Sequence, residues 1–411
     1  MDYALTRSQY VRWRNAIFAI FLASGVSIAT WASRVPDIKI ALGIDNAQIG
    51  LLLLGMGIAS ILGISTSPAV MARTGARRGM LSLMITLSIG LVLVGVGTTM
   101  LASFPVVIIG LALFGYGNGC LDVMMNVEAT AIEQEAGKTI LPLFHAFFSF
   151  GTVIGAGLGW AATNWHINVA VHAIVVAILI FVSAFVCIAN VPNREATLDP
   201  EEPGEKPHWR ERMHVAMSAW REPRTYALGV VMLGMAFAEG GANDWLALGT
   251  SEDHGGGAAM GAAALTVFSV AMTTVRIFGG PLVDRFGRVL VLRILAVAAT
   301  GGILLFILAP SLPLVFVGAA LWGVGASLGF PLGMSAAADD PAKAAARVSA
   351  AATIGYVAFL GGPPVLGLIS EHIGLLNTLF ILVALVAASG LASGAARPLK
   401  DVESTPHGPT K

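Results

Sequence analysis

Twelve long apolar stretches, divided six and six by a charged, proline-rich segment, constrain this chain more than any other feature. They cover 16–33, 47–71, 79–100, 104–127, 141–162 and 167–190, then 225–249, 258–282, 289–309, 312–335, 347–370 and 374–396. Each holds about 18–25 residues, and a helix rising ~1.5 Å per residue needs ~20 to cross a ~30 Å hydrocarbon layer. Lipid offers the backbone no hydrogen bonds, so each stretch is predicted to be a spanning helix. Composition agrees: 12% of the 411 residues are charged, 56% are hydrophobic and mean hydropathy is +0.79, too few charges to coat a soluble surface. Zero formal net charge argues against a nucleic-acid partner.

Charge placement sets the expected orientation. With the N-terminus in the cytoplasm, 21 of the 24 Lys and Arg fall in cytoplasmic segments, from Arg7, Arg12 and Arg14 through Arg73, Arg77 and Arg78 to Arg397. Arg34 and Lys39 fall outside and Arg276 within a span, a positive-inside bias that predicts both termini in the cytoplasm. Basic residues precede the first stretch as they would a signal peptide, but losing it would leave an odd number of spans, so it is read as retained. Cys120 and Cys187 both sit inside spans and read as packing residues.

The two halves resemble each other at an offset of roughly 208–214 residues. Phe114-Gly115-Tyr116-Gly117 matches Trp322-Gly323-Val324-Gly325, and Trp31 matches Trp245. Ala72-Arg73-Thr74-Gly75-Ala76-Arg77-Arg78 between spans 2 and 3 stands where spans 8 and 9 have Gly280-Pro281-Leu282-Val283-Asp284-Arg285-Phe286-Gly287-Arg288. Gly280 is expected to let a neighbouring helix come close. Asp284 is expected to cap the next helix or pair with a cation, and Gly287 to take the tight turn. The central segment, 191–224, carries five prolines and Asp199-Pro200-Glu201-Glu202. Within it Trp209, Met213, Met217 and Trp220 recur at helical spacing, which fits a short interfacial helix; a disordered connector is the plainer alternative. The expected division is 1–190, linker 191–224, 225–397 and a tail 398–411.

Ionisable and amide groups inside spans are costly and by default mark a pathway. Asn118, Asp122 and Asn126 recur every four residues, so all three project from nearly one helical face. Asp122 can change protonation with its surroundings, as proton coupling requires, although a packing cluster would have the same spacing. In span 7, Glu239 lies near the bilayer midplane with Asn243 one turn on and Gly240-Gly241 making the helix easy to bend, while Asp244 approaches the outer surface, where it could simply reach water. His145, opening span 5, suits a proton relay or a packing role. Arg276 in span 8 is expected to pair with an intramembrane carboxylate or the 280–288 loop. Trp31 and Trp245 could stack on a sugar ring or anchor span ends at the interface.

The Gly280–Arg288 string resembles the signature loop of the major facilitator superfamily, Gly-x-Leu-x-Asp-Arg-x-Gly-Arg, with every marked position filled. The resemblance implies an all-α membrane fold of twelve helices in two pseudo-symmetric six-helix bundles, with Asp284, Arg285 and Arg288 as gating residues. The first-half copy has Ala72 where the aspartate should stand. Gly119-Cys120-Leu121-Asp122-Val123-Met124-Met125-Asn126 is similar to the fourth helix of the fucose permease branch, where Gly-x-Leu-acid precedes an Asn by four residues. That similarity implies proton-coupled sugar transport through Asp122 and Asn126. Span 1 here lacks the aspartate that branch carries late in helix 1, so Glu239 is expected to supply the second acid.

The expected protein is a carrier, not an enzyme, of a small polar solute such as a sugar, moved by proton symport. It would work as a monomer in a bacterial inner membrane, in contact with lipid and without a cofactor. Proton-coupled efflux of amphipathic drugs is the nearest alternative, but Gly151-Thr152-Val153-Ile154-Gly155-Ala156 lacks the proline of the antiporter pattern Gly-x-x-x-Gly-Pro. A transport-inactive sensor of the same fold is the second.

Overall fold

The computed structural model describes residues 6–136, 140–192, 219–339 and 344–399, a succession of helices joined by short turns. The first half comprises α1 (Arg7–Ala32), α2 (Val35–Leu42), α3 (Asn46–Thr99), α4 (Phe104–Ala136), α5 (Leu141–Asn164) and α6 (Val169–Ala189). The second opens with α7 (Pro223–Gly241), which runs through a π-helical turn (Ala242–Leu246) into α8 (Ala247–Ser251). It continues with α9 (Gly257–Phe286), α10 (Arg288–Leu308), α11 (Leu312–Ala326) and α12 (Gly329–Ala337). α13 (Ala344–Ile373), α14 (Leu375–Thr378) and α15 (Phe380–Ala392) complete it.

Among the described residues, ten helical segments are long and apolar enough to cross a membrane. One of them, α3, has 54 residues, which as one straight helix would reach ~81 Å, more than twice the ~30 Å layer. It is two spans: Gly75 at φ 69°, ψ 164° leaves the helical region and turns the chain back. α13, 30 residues long with Pro363 and Pro364 inside it, supplies the remaining crossing. The predicted twelve spans are therefore all helical, and both ends of the described chain lie on one side, here the termini face. The opposite side is the far face. The short helix α2 lies there, started by Pro36 and ended by Gly43.

The internal repeat is visible in the packing. Gly75 and Gly287 turn the chain at equivalent places with nearly the same backbone angles, φ 69°, ψ 164° and φ 76°, ψ 154°. A left-handed φ of this kind is open to glycine at no steric cost. Gly115 of α4 lies against the Met56 carbonyl, and Gly323 of α11 lies against the Phe268 carbonyl. Any Cβ there would collide with main chain, so the helices of each pair approach only because both positions are glycine. Gly280 behaves otherwise. Predicted to admit a neighbouring helix, it has nothing within 4 Å of where a side chain would begin. The close approach falls one residue earlier, at Gly279, which faces Leu328.

Of the predicted interfacial helix, Trp209, Met213 and Met217 lie outside the described residues, whereas Trp220 sits edge-on to Tyr226 with ring centres 6.1 Å apart. Cys120 and Cys187 are buried and free.

Candidate functional site

The π-helical turn at the end of α7 positions several polar side chains in the interior. Gly240 and Gly241 close the α-helix, and the wider turn that follows carries Asn243 and Asp244. Inserted π turns of this kind recur at functional sites because they redirect side chains without ending the helix. α7 is held just ahead of them by the Trp322 indole N–H, which donates to the Ala238 carbonyl at 2.7 Å. Ser389 adds a second bond, to the Val231 carbonyl at 3.3 Å.

These groups face a cavity of about 400 Å³ between the two halves, within the size range of small-molecule sites. The second half lines it with Glu239, Gly240, Asn243, Asp244, Met272, Phe330 and Pro363. The first half contributes Trp31, Met56, Ser60, Phe114, Asn118, Phe148 and Thr152, among others. Most of this wall is apolar. Asn118 is fixed by Ser24, whose hydroxyl donates to Asn118 Oδ1 at 2.7 Å, leaving the Asn118 amide N–H groups for the cavity.

Glu239 is not a lone carboxylate. Arg276 Nη2 donates to Glu239 Oε2 at 2.8 Å, with both side chains about four-fifths buried (17% and 21% exposed). The other edges of the guanidinium are also occupied: Nε donates to the Ser327 carbonyl at 2.9 Å and Nη1 to Ser149 Oγ at 3.2 Å. One planar fork thus joins α7, α9, the α11–α12 turn and, through Ser149, α5 of the other half. Thr273 Oγ1 lies 3.2 Å from the Ser149 carbonyl, adding a second tie across the same seam. The expectation that Arg276 pairs with an intramembrane carboxylate holds. Asp244, in contrast, has no hydrogen bond or ion pair to any described residue, although it lines the same cavity.

Other predicted residues lie elsewhere. Asp122, whose side chain is exposed, is one turn nearer the termini face than Asn118 and does not line the cavity. Asn126 folds back on its own helix, donating to the Asp122 carbonyl at 2.8 Å. His145 is exposed and edge-on to Phe21, ring centres 5.4 Å apart. Trp31 lines the cavity, but its counterpart Trp245 is fully buried and does not, its indole N–H without a hydrogen-bond partner among the described residues. In the signature loop Arg288 pairs with Asp339 at 2.8 Å, and Arg224 reaches the same carboxylate at 2.9 Å. Arg285 lies over the Phe286 ring at 5.4 Å, and Asp284 is exposed. The sequence reading missed Ser149, Ser327 and Asp339. No periodicity marks them, because each matters only through an arginine distant in the chain.

The far face is sealed. Val35 and Ile38 of α2 are fully buried, and Lys39 pairs with Glu252 of the other half at 2.6 Å. The Asn46 amide donates to Glu371 Oε1 at 2.6 Å, while Gly50 packs on the Pro363 carbonyl. Among the described residues, the hydrogen bonds that join the halves lie at this face or at mid-depth, around Ser149.

The sequence profile of the Major Facilitator Superfamily matches residues 16–356 and 245–411. The uncharacterised transporter y4wD of Sinorhizobium fredii is 31% identical over 387 residues, spanning 92% of this chain and 95% of its own. Among solved structures, a mutant of the nucleoside transporter NupG superposes with a TM-score of 0.74 at 14% identity, covering 94% of this chain and 99% of that one. FucP in its outward conformation gives 0.66 at 15% identity, covering 95% and 99%. At such identities the likeness is one of fold.

Proposed function

The chain belongs to the major facilitator superfamily and is a multi-pass membrane transporter; from that premise we propose that it carries a small polar solute, a sugar or related metabolite, in symport with a proton. The observation that supports this most is the cavity of about 400 Å³ at the seam of the two halves, walled by both and largely apolar except where groups such as Asn118, Glu239, Asn243 and Asp244 reach it. A site between two repeats is where alternating access places a solute, since rocking one half against the other exposes it to each side in turn. One copy walls this cavity by itself, which suits a monomeric carrier.

Glu239 is the proton site in this reading. Ionised, it holds Arg276; protonated, it loses most of its attraction for the guanidinium, which also reaches Ser149 of the other half. A proton there therefore changes the energy of a contact between the halves, and only such a difference can shift a carrier between its two states. Arg276 pairs with Glu239, Asn243 and Asp244 line the same cavity, and His145 lies within electrostatic reach of Arg276. Asp122, exposed and one turn from Asn118, would pass protons between cavity and water on the termini face. The basic residues gathered on that face, Arg77, Arg78, Arg224, Arg285 and Arg288 among them, support its assignment to the cytoplasm. With the far face sealed, the solute would enter from the cytoplasm in the state described.

The test is uptake into liposomes carrying the purified protein, over a panel of sugars, amino sugars, small amines and small acids, with the exterior acidic or at equal pH. Accumulation of at least one solute that needs the pH gradient and collapses with a protonophore is expected. Transport of every accepted solute at the same rate without a gradient would reject proton coupling.

A further inference from the structure

The cavity carries an electrostatic imbalance. Of the three charged groups at its polar end, Glu239 and Arg276 neutralise each other at 2.8 Å, whereas Asp244 lines the cavity with no hydrogen bond or ion pair to any described residue. A lone carboxylate within a membrane protein is costly to ionise, and a cation bound beside it offsets that cost. Here no side chain on the cavity wall does so: beyond Glu239 and Asp244, the lining residues are uncharged. The rest of the wall includes Trp31, Phe114, Phe148 and Phe330 with Met56 and Met272, among aliphatic and small residues. Aromatic faces attract cations through their ring quadrupoles, and thioethers adapt to an apolar body.

Resting on the transport reading above, we propose that the solute is a small organic ammonium ion, its charged nitrogen against Asp244 and its carbon skeleton against the aromatic wall. Asn118, from the first half, and Asn243, from the second, supply amide groups for any hydroxyl or carbonyl the skeleton bears. Glu239, paired with Arg276, keeps the coupling role given to it above, so the two carboxylates of α7 and its π turn do different work: one answers to the proton, the other to the solute. Neutral sugars would fit the cavity without satisfying Asp244.

The purified full-length protein in detergent tests this by titration with matched probes, read by quenching of tryptophan fluorescence and by calorimetry. The probes are phenethylamine, charged at pH 7, its neutral analogue 2-phenylethanol, and the pair glucosamine and glucose. Each ammonium compound is expected to bind about tenfold or more tightly than its neutral partner, the size of one charge-assisted hydrogen bond. The aryl and sugar arms then tell whether the skeleton is apolar or hydroxylated. Asp244→Asn should erase the preference, and Asp244→Glu should keep it. Equal binding of charged and neutral probes by the wild type would overturn the proposal, whether or not the variants fold, as would a preference that survives Asp244→Asn. Because no gradient is present, failure of proton coupling leaves this result untouched, and the reverse holds as well.

Discussion

In the first half, the position equivalent to Glu239 is Gly25, packed against the Phe148 backbone; in the second half it is a carboxylate bonded to Arg276. The same offset of 214 residues pairs Asn243 with Ala29 and Asp244 with Thr30. α1 runs as one regular helix, whereas α7 gives way to a π turn at the matching place. On the other pair the asymmetry reverses, since Asn118, Asp122 and Asn126 of α4 face Ala326, Phe330 and Met334 across an offset of 208. The glycine contacts and chain reversals have been kept in both halves, and the polar groups in only one at each place. Packing of helix on helix is needed twice in a two-bundle molecule. An intramembrane carboxylate costs ~2.5–3.5 kcal/mol to insert even on the lenient scale, and one cavity needs its chemistry once.

The strongest way to break this comparison is at Arg276. Arg276→Gln strands Glu239 without its cation, and losing one partner of a buried pair costs about 3 kcal/mol. A fall in thermal stability and loss of transport are expected, measured by a melting curve and by liposome uptake. Glu239→Gln combined with Arg276→Gln should recover stability but not gradient-driven uptake. A single variant as stable as wild type would mean that the pair does not organise the second half.

Leucine at the shared glycines sharpens the claim of a common scaffold. Gly115→Leu and Gly323→Leu each drive a side chain into a neighbouring carbonyl and should destabilise by about 1–3 kcal/mol, to a similar extent in both halves. Melting curves of the two variants would show it, and a large effect in one half alone would deny the equivalence. A smaller effect is expected at Asn118, the first half's amide in the cavity. Asn118→Ala should raise KM about threefold to tenfold, one hydrogen bond's worth, with little change in maximal rate. Smallest is the tie across the far face. Lys39→Glu removes a pair whose Glu252 is about one-third exposed (36%), and such pairs contribute at most ~1 kcal/mol. Cysteine-labelling rates at the far face should rise less than about fivefold and return to the wild-type value when Glu252→Lys restores the attraction.

Much of the architecture was legible because lipid leaves a chain few options. Apolar runs of spanning length, and glycines that recur at a fixed offset, gave the helices and the repeat before any coordinates. Glu239, Asn243, Asn118 and Trp31 were found as polar or amphipathic groups placed where the bilayer penalises them. Depth and partner were harder. A spacing of four residues puts Asn118, Asp122 and Asn126 near one face, but each step also moves ~6 Å along the axis and turns ~40°. That is enough to carry Asp122 past the cavity wall. Gly280 was misread for a related reason: a motif marks which residue recurs, whereas the helix that comes close met its neighbour at Gly279. Ser149 and Asp339 left no trace in the pattern, because a serine or a loop aspartate gains meaning only when a distant arginine folds onto it.

The central claim is that a proton on Glu239, not on any first-half group, drives solute across the seam. It is tested most directly by comparing wild type and Glu239→Gln in liposomes, using the solute found in the uptake panel. Gradient-driven accumulation is measured beside gradient-free counterflow of the same labelled solute. The variant should keep counterflow and lose accumulation. Accumulation equal to wild type in Glu239→Gln would contradict the account.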